Sequence, residues 1–148
     1  MNKCKNELKI TFQSRSVNER LARSIVAAFA AEADPAVSVL ADLRTAVSEA
    51  VTNAIVHAYP DKMGKITMTL KLFENGRLTV KIADRGCGIA DVEEAMTPLF
   101  TTGGEERSGL GFSVMESFCD KVKVRSKVGK GTAVTLEKFV TEKGDEHR

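Results

Sequence analysis

A chain of 148 residues is about one domain long, and at that size a single hydrophobic core suffices without disulfides or metals. Its 43% hydrophobic and 28% charged residues exclude a disordered or collagen-like chain. Lys and Arg total 22 against 20 Asp and Glu, and the resulting +2 is too small for bulk electrostatic binding, so neither a direct nucleic-acid partner nor a membrane is expected.

The opening MNKCKNELKITF lacks the apolar stretch of a signal peptide, and the longest apolar run, 25–31, is far too short to span a bilayer. A cytoplasmic protein is expected. Cys4, Cys87 and Cys119 are odd in number, widely spaced and without a CxxC pair, and only His57 and His147 accompany them, which argues against disulfides and zinc. Cys119, on an apolar helical pattern, reads as core filling.

In chain order, Leu8, Ile10 and Phe12 alternate with polar residues as in a half-buried strand. Ser16-x-x-Glu19 then offers a capping box for a helix with Leu21, Ile25, Ala28 and Phe29 on one face. Asp34-Pro35, as N-cap and first helical residue, opens a second helix with Leu40, Leu43, Val47, Val51 and Ala54 on one stripe. Alternation at Ile66, Met68, Leu70 and Leu72, the Asn75-Gly76 turn, and Leu78, Val80 and Ile82 predict an antiparallel hairpin. A short helical stretch at 91–96, a Thr/Gly loop and a helix carrying Leu110, Val114, Met115 and Phe118 follow. A second hairpin through Gly129-Lys130-Gly131 pairs Val122 and Val124 with Val134 and Leu136. The order β, α, α, β, β, α, α, β, β predicts an α+β fold: a two-layer sandwich with a mixed, mainly antiparallel sheet and helices on one face. No linker divides the chain, so 1–148 reads as one domain with a mobile tail at 141–148.

Three segments carry chemistry. Asp42, Thr45, Glu49 and Asn53 share one stripe of the second helix, which suits either a solvated face or a ligand face. The apolar Ala50, Ala54, Ile55 and Val56 suggest a helix covered on several sides, where a carboxylate and an amide need partners. Asp84-x-Gly86-x-Gly88 at a strand end is either a tight turn or an acceptor carboxylate beside a backbone that a flat ring can approach, which suits a purine amino group. The four glycines between Thr101 and Phe112, ahead of a helix, suit a mobile loop or an anion site built from free N–H groups and the helix dipole. Neither a Walker A loop nor a GxGxxG fingerprint is present. Gly129-x-Gly131-Thr132 is by itself a hairpin turn.

Taken in order, Glu49-x-x-x-Asn53, Asp84-x-Gly86-x-Gly88, Gly109-x-Gly111 and Gly131-Thr132 resemble the boxes of the GHKL ATPase and kinase superfamily, whose ATP pocket lies on a Bergerat-type α/β sandwich. The phrases SEAVTNAIVHAY, PLFTT and ERSGLGFSVMESFCDKV resemble more closely the anti-sigma factor serine kinases of spore-forming bacteria. The resemblance implies ATP and Mg²⁺ as cofactors, Glu49 as catalytic base, Asn53 as Mg²⁺ ligand and Asp84 as reader of the adenine amino group. It further implies that Gly86 and Gly88 shape the adenine end and that Thr132 hydrogen-bonds near the base. Residues 101–111 would form a phosphate lid that includes Thr101 and Thr102. Arg107 and the N–H groups of Ser108, Gly109, Leu110 and Gly111 would meet the β and γ positions. Where relatives often carry a Lys after the Thr pair, this chain has Gly103-Gly104, so that duty is absent or falls to Arg107.

Histidine autophosphorylation does not fit, because His57 lies inside the second helix, where it reads as a packing or capping residue, and His147 lies in the tail. The resemblance implies a homodimer that holds a sporulation sigma factor inactive and phosphorylates a serine of an anti-anti-sigma protein. A nucleotide-gated binding module without phosphoryl transfer, and a pure interaction domain with degenerate boxes, are the rival readings.

Overall fold

The computed structural model describes residues 2–90, 92 and 106–141, with the backbone alone described at 106–110. Strand β1 (Cys4–Gln13) leads into α1 (Asn18–Ala30), a 3-10 turn (Ala31–Ala33), α2 (Val37–Asn53) and a π turn (Ala54–Ala58). Strands β2 (Lys65–Phe73) and β3 (Arg77–Asp84), helix α3 (Glu106–Phe118), and strands β4 (Lys121–Lys127) and β5 (Gly131–Phe139) complete the chain. The five strands form one sheet in the order β1-β2-β3-β5-β4. Every pair is antiparallel, so the expected α+β sandwich holds and no parallel pair interrupts the sheet among the described strands.

Period-two patterning decides which face is covered. Ile66, Met68, Leu70, Leu72, Leu78, Val80, Ile82 and Leu136 are buried together with Val26, Val47 and Val51 of the helices. The intervening Lys81, Lys121, Lys123 and Arg125 are exposed on the opposite face. Both predicted hairpins form. The first closes through the three residues Glu74, Asn75 and Gly76, with Gly76 at φ 87° and its N–H donating to Phe73 O at 3.0 Å, rather than through a two-residue turn.

Three local expectations are corrected. The capping box does not form: the residue before α1 is Val17 with no side-chain cap. The Glu19 carboxylate instead accepts from Ser48 Oγ at 2.7 Å and pairs with Arg23 at 3.0 Å, because a contact with α2 competes with a local cap. The buried face of α1 is Ala22, Val26, Phe29 and Ala30, while Leu21 is 45% exposed. Alanine buries as readily as larger apolar residues and packs closer, which turns the helix by about one residue from the face drawn through Leu21 and Ala28. Finally, Asp34 sits at φ 51° as the left-handed end of the 3-10 turn, and α2 begins after Ala36, two residues later than Asp34-Pro35 suggests.

The helical stretch expected at 91–96, apart from residue 92, lies outside the described residues. So do Thr101 and Thr102 of the expected lid, and the expected tail from residue 142 onward.

Candidate functional site

The polar stripe of α2 grades from water into the protein. Thr45 is exposed and donates to Ala41 O within its own helix, and Asp42 lies 4.0 Å from Lys138 Nζ. Glu49 is half-buried and lines a depression of about 270 Å³ together with Arg23, Arg44, Thr45 and Ser48. Asn53, one turn further on, is only 9% exposed. Both of its amide atoms are buried without a hydrogen-bond partner among the described residues. Such an amide costs about 1–3 kcal/mol per unsatisfied group, and folding alone gives no reason to keep it.

Gly111 lies directly against that amide. A Cβ built there would stand 2.8 Å from Asn53 Nδ2, so a side chain at 111 would press on the amide. Helix α3 begins at Glu106, and Gly109 and Gly111 therefore lie within its first two turns rather than in a loop ahead of it. The side chains of Arg107, Ser108 and Leu110 lie outside the described residues.

At the other end, the central strand β3 carries Asp84 as its last residue. Its Oδ1 accepts the N–H of Gly86 at 2.9 Å and the N–H of Thr132 at 3.2 Å, which brings two of the predicted boxes into one contact. Burial raises the Asp84 pKa, and these two N–H groups partly oppose the rise. Gly86 and Gly88 have a reason within the chain itself. A Cβ at 86 would lie 2.1 Å from the Ala58 carbonyl oxygen, and one at 88 would lie 2.3 Å from that of Lys127, with Gly88 at φ 78°. The loop is thus wedged between the end of the π turn and the β4–β5 hairpin, and its glycines serve that packing whether or not a ring approaches.

Two residues escape sequence reasoning. Ser126 Oγ lies 2.7 Å from Thr132 Oγ1 and accepts the Ile89 N–H at 2.7 Å, binding the loop to the hairpin. Tyr59 Oη accepts the Arg85 N–H at 2.8 Å. No spacing rule reveals either, because each partner lies more than two residues away in sequence and is met only through the fold; the one available signal for Tyr59 is that it is the sole tyrosine. His57 is exposed at the end of the π turn, where its backbone carbonyl accepts the Cys87 thiol at 3.1 Å. Cys119 packs against the core as expected, and burial pushes its thiol up to about 11.

Comparison with known proteins bears on the fold and the family. The family model described as a histidine kinase-like ATPase domain matches residues 12–138. An anti-sigma F factor of Caldanaerobacter subterraneus subsp. tengcongensis is 51% identical over 136 residues, 91% of this chain and 94% of that protein. The anti-sigma F factor of Geobacillus stearothermophilus is 49% identical over 140 residues, 94% and 96% of the two chains. Among solved structures, the RsbU and RsbW domains of a Mycobacterium tuberculosis protein superpose with a TM-score of 0.66 at 24% identity, over 93% of this chain and 34% of that longer one. A histidine kinase domain from Erythrobacter litoralis gives 0.56 at 17% identity, over 84% and 62%, and shares the fold. The chain therefore belongs to the histidine kinase-like ATPase family, among the anti-sigma F factors.

Proposed function

We propose that this chain is a single-domain protein serine kinase and anti-sigma factor. As a homodimer in the cytoplasm it binds Mg-ATP, phosphorylates a serine of an anti-anti-sigma protein, and otherwise holds a sigma factor inactive. The observation that carries the nucleotide reading is the Asn53 amide, buried without a partner beside the backbone of Gly111. An orphaned carbonyl oxygen fits Mg²⁺, a cation that takes one or two protein oxygens and completes its shell with phosphates and water. Asp84, already held by two N–H groups, fits the amino group of a purine. The sigma factor comes from the name of the relatives, and the anti-anti-sigma protein and the homodimer from the resemblance to their family.

In this reading Asn53 orients the metal and Asp84 the base. Gly86 and Gly88 keep the loop that carries Asp84 against Ala58 and Lys127, and Thr132 holds Asp84 from the hairpin side. The lid would comprise Thr101, Thr102, Arg107 and the first-turn N–H groups of α3 at Ser108 and Gly109, with Arg107 as its cation, whereas the N–H groups of Leu110 and Gly111 fall inside the helical ladder. Glu49, one turn before Asn53, takes the proton of the incoming serine hydroxyl. Mg-ATP, when bound, supplies the phosphoryl group, with the cation offsetting its charge. The test is transfer of label from γ-labelled Mg-ATP to the anti-anti-sigma partner, followed by phosphoamino-acid analysis. Label on serine is the expected result. ATP binding with no transfer would make the chain a nucleotide-gated binding module, and no ATP binding would make it an interaction domain.

Asp84→Asn is expected to lower ATP affinity roughly tenfold and to blunt discrimination against GTP, because a charged acceptor holds an amino donor more strongly than an amide does. Protonation should do likewise. Because the folded-state pKa of Asp84 is raised, ATP affinity should fall on acidification at a higher pH than for an ordinary carboxylate, and the Asn variant should lose that dependence. The stability sign is opposite. A raised pKa means that the folded chain holds the proton more tightly than the unfolded one, so this contribution is present in acid and is lost as pH rises through the raised value. At neutral pH the Asn variant should thus be at least as stable as the parent. Titration calorimetry and thermal melts from pH 4 to about 8 check both signs. An Asn variant with unchanged affinity and GTP discrimination would remove Asp84 from the adenine subsite.

A further inference from the structure

The lone tyrosine of the chain stands where the π turn ends, between the Asn53 side of the site and the Asp84 loop. Tyr59 is only 9% exposed. Its hydroxyl donates to the Lys65 carbonyl at 2.8 Å, at the first residue of β2, and accepts the Arg85 N–H at 2.8 Å. The ring packs against Gly64, where a Cβ would fall 2.3 Å from it, so only glycine leaves room for the phenol there. Its neighbour Ala58 accepts the Cys87 N–H at 3.0 Å and abuts Gly86. Arg85, the residue that Tyr59 holds, joins Asp84 to Gly86. Fixing its N–H fixes the peptide plane leaving Asp84, and with it the reach of the Gly86 N–H to Asp84 Oδ1. Oδ1 is engaged by Gly86 and Thr132, whereas Oδ2 makes no hydrogen bond among the described residues.

We propose that Tyr59 is the positioning residue of the adenine subsite: through the Arg85 N–H it aims the free oxygen of Asp84 at the amino group of the base. This rests on the reading of the Asp84 loop as an adenine site. Tyr59 touches no phosphate or metal ligand in the contacts above, so its influence should fall on base recognition alone. That separates a positioning role from general support of the fold, which would weaken every ligand alike.

The test compares the parent with Tyr59→Phe, which keeps the ring on Gly64 and removes only the hydroxyl. Equilibrium dialysis is run with Mg-ATP, Mg-GTP and magnesium tripolyphosphate, which has no base. The variant should bind ATP roughly tenfold more weakly and lose preference for ATP over GTP by a similar factor. Its binding of tripolyphosphate should stay within about twofold of the parent. Equal losses for ATP and tripolyphosphate would reduce Tyr59 to a structural residue, and an unchanged ATP-to-GTP ratio would overturn the proposal. A parent that binds no ATP overturns the adenine reading and this proposal together, whereas a parent that binds ATP beside an unaffected variant overturns this proposal alone. Should the Phe variant fail to fold, the parent still decides. With one Tyr and no Trp, its intrinsic emission comes from Tyr59 alone. Excited at the red edge of tyrosine absorption, that emission should change with ATP or adenosine and stay constant with tripolyphosphate. Emission that ignores adenosine and ATP would sink the assignment.

Discussion

Asn53→Leu should make the empty protein more stable while abolishing Mg-ATP binding. Leucine has the branched shape of asparagine with both ends apolar, so it fills the same space against Gly111 and removes two buried polar atoms that have no partner among the described residues. At about 1–3 kcal/mol for each unsatisfied group, offset by some crowding at Gly111, the net gain should be about 1–2 kcal/mol. For a chain of this length that is a rise of roughly 2–8 °C in Tm. Mg-ATP affinity should fall by at least ~100-fold, since losing even an outer-shell partner of a metal ligand typically costs 10–100-fold. Melting of the nucleotide-free protein, with titration of Mg-ATP beside it, reads both signs in one pair of variants. A destabilised variant that still binds Mg-ATP would show that Asn53 is satisfied in some other way and is no ligand.

This expected opposition between stability and binding accounts for a feature that packing alone leaves unexplained. Helix α2 buries Leu43, Ala46, Val47, Ala50 and Val51 and then an amide with no hydrogen-bond partner among the described residues. Immediately after it the backbone widens into the π turn of 54–58, a distortion common at functional sites. The turn carries the chain from Asn53 to Ala58 and Tyr59, which grip the Asp84 loop through Cys87 and Arg85. The Asn53 and Asp84 ends of the proposed site are therefore joined by the five residues of the π turn. Regularising that turn should disturb both ends together.

What could be read from the sequence and what could not divide along physical lines. Period-two alternation placed β2 and β3 correctly, because a sheet covered on one face imposes that pattern directly. The family resemblance assigned Asp84 and Thr132 to the same end of a pocket, and the fold brings them into contact although they lie 48 residues apart, because β3 pairs with β5. Local end signals fared worse. Ser16 and Glu19 have the spacing of a capping box, yet Glu19 bonds to Ser48 on the next helix, since a tertiary partner outweighs a local one. Asp34 has the identity of an N-cap but takes the left-handed conformation that Asp tolerates, two residues ahead of the true helix start. Tyr59 and Ser126 were invisible because their roles consist of hydrogen bonds to backbone groups that the fold brings to them. Gly86 and Gly88 stand in the tight loop after β3, one of the two readings their spacing allowed, and the structure gives a packing reason for them that no motif states.

Glu49→Gln should separate phosphoryl transfer from binding. The substitution keeps the length and helix preference of the side chain on α2 and removes only its charge and basicity. Glu49 is half-buried and lines the depression together with Arg23, Arg44, Thr45 and Ser48, so its side chain is not sealed from solvent. Asn53 and Asp84, which would hold metal and base, make no hydrogen bond with its carboxylate among the described residues, so Mg-ATP affinity should stay within a few-fold of the parent. Single-turnover phosphorylation of the anti-anti-sigma protein should instead fall by about 10²–10⁴-fold, the usual loss when a general base is removed. Asn53→Leu must lose both properties at once, and that contrast distinguishes a base from a ligand. Circular dichroism and the Tyr59 emission verify that the Gln variant is folded and that its loop is intact. A folded Glu49→Gln protein that phosphorylates its partner within a few-fold of the parent rate would remove Glu49 from the chemistry and leave proton transfer to the solvent or to the partner itself.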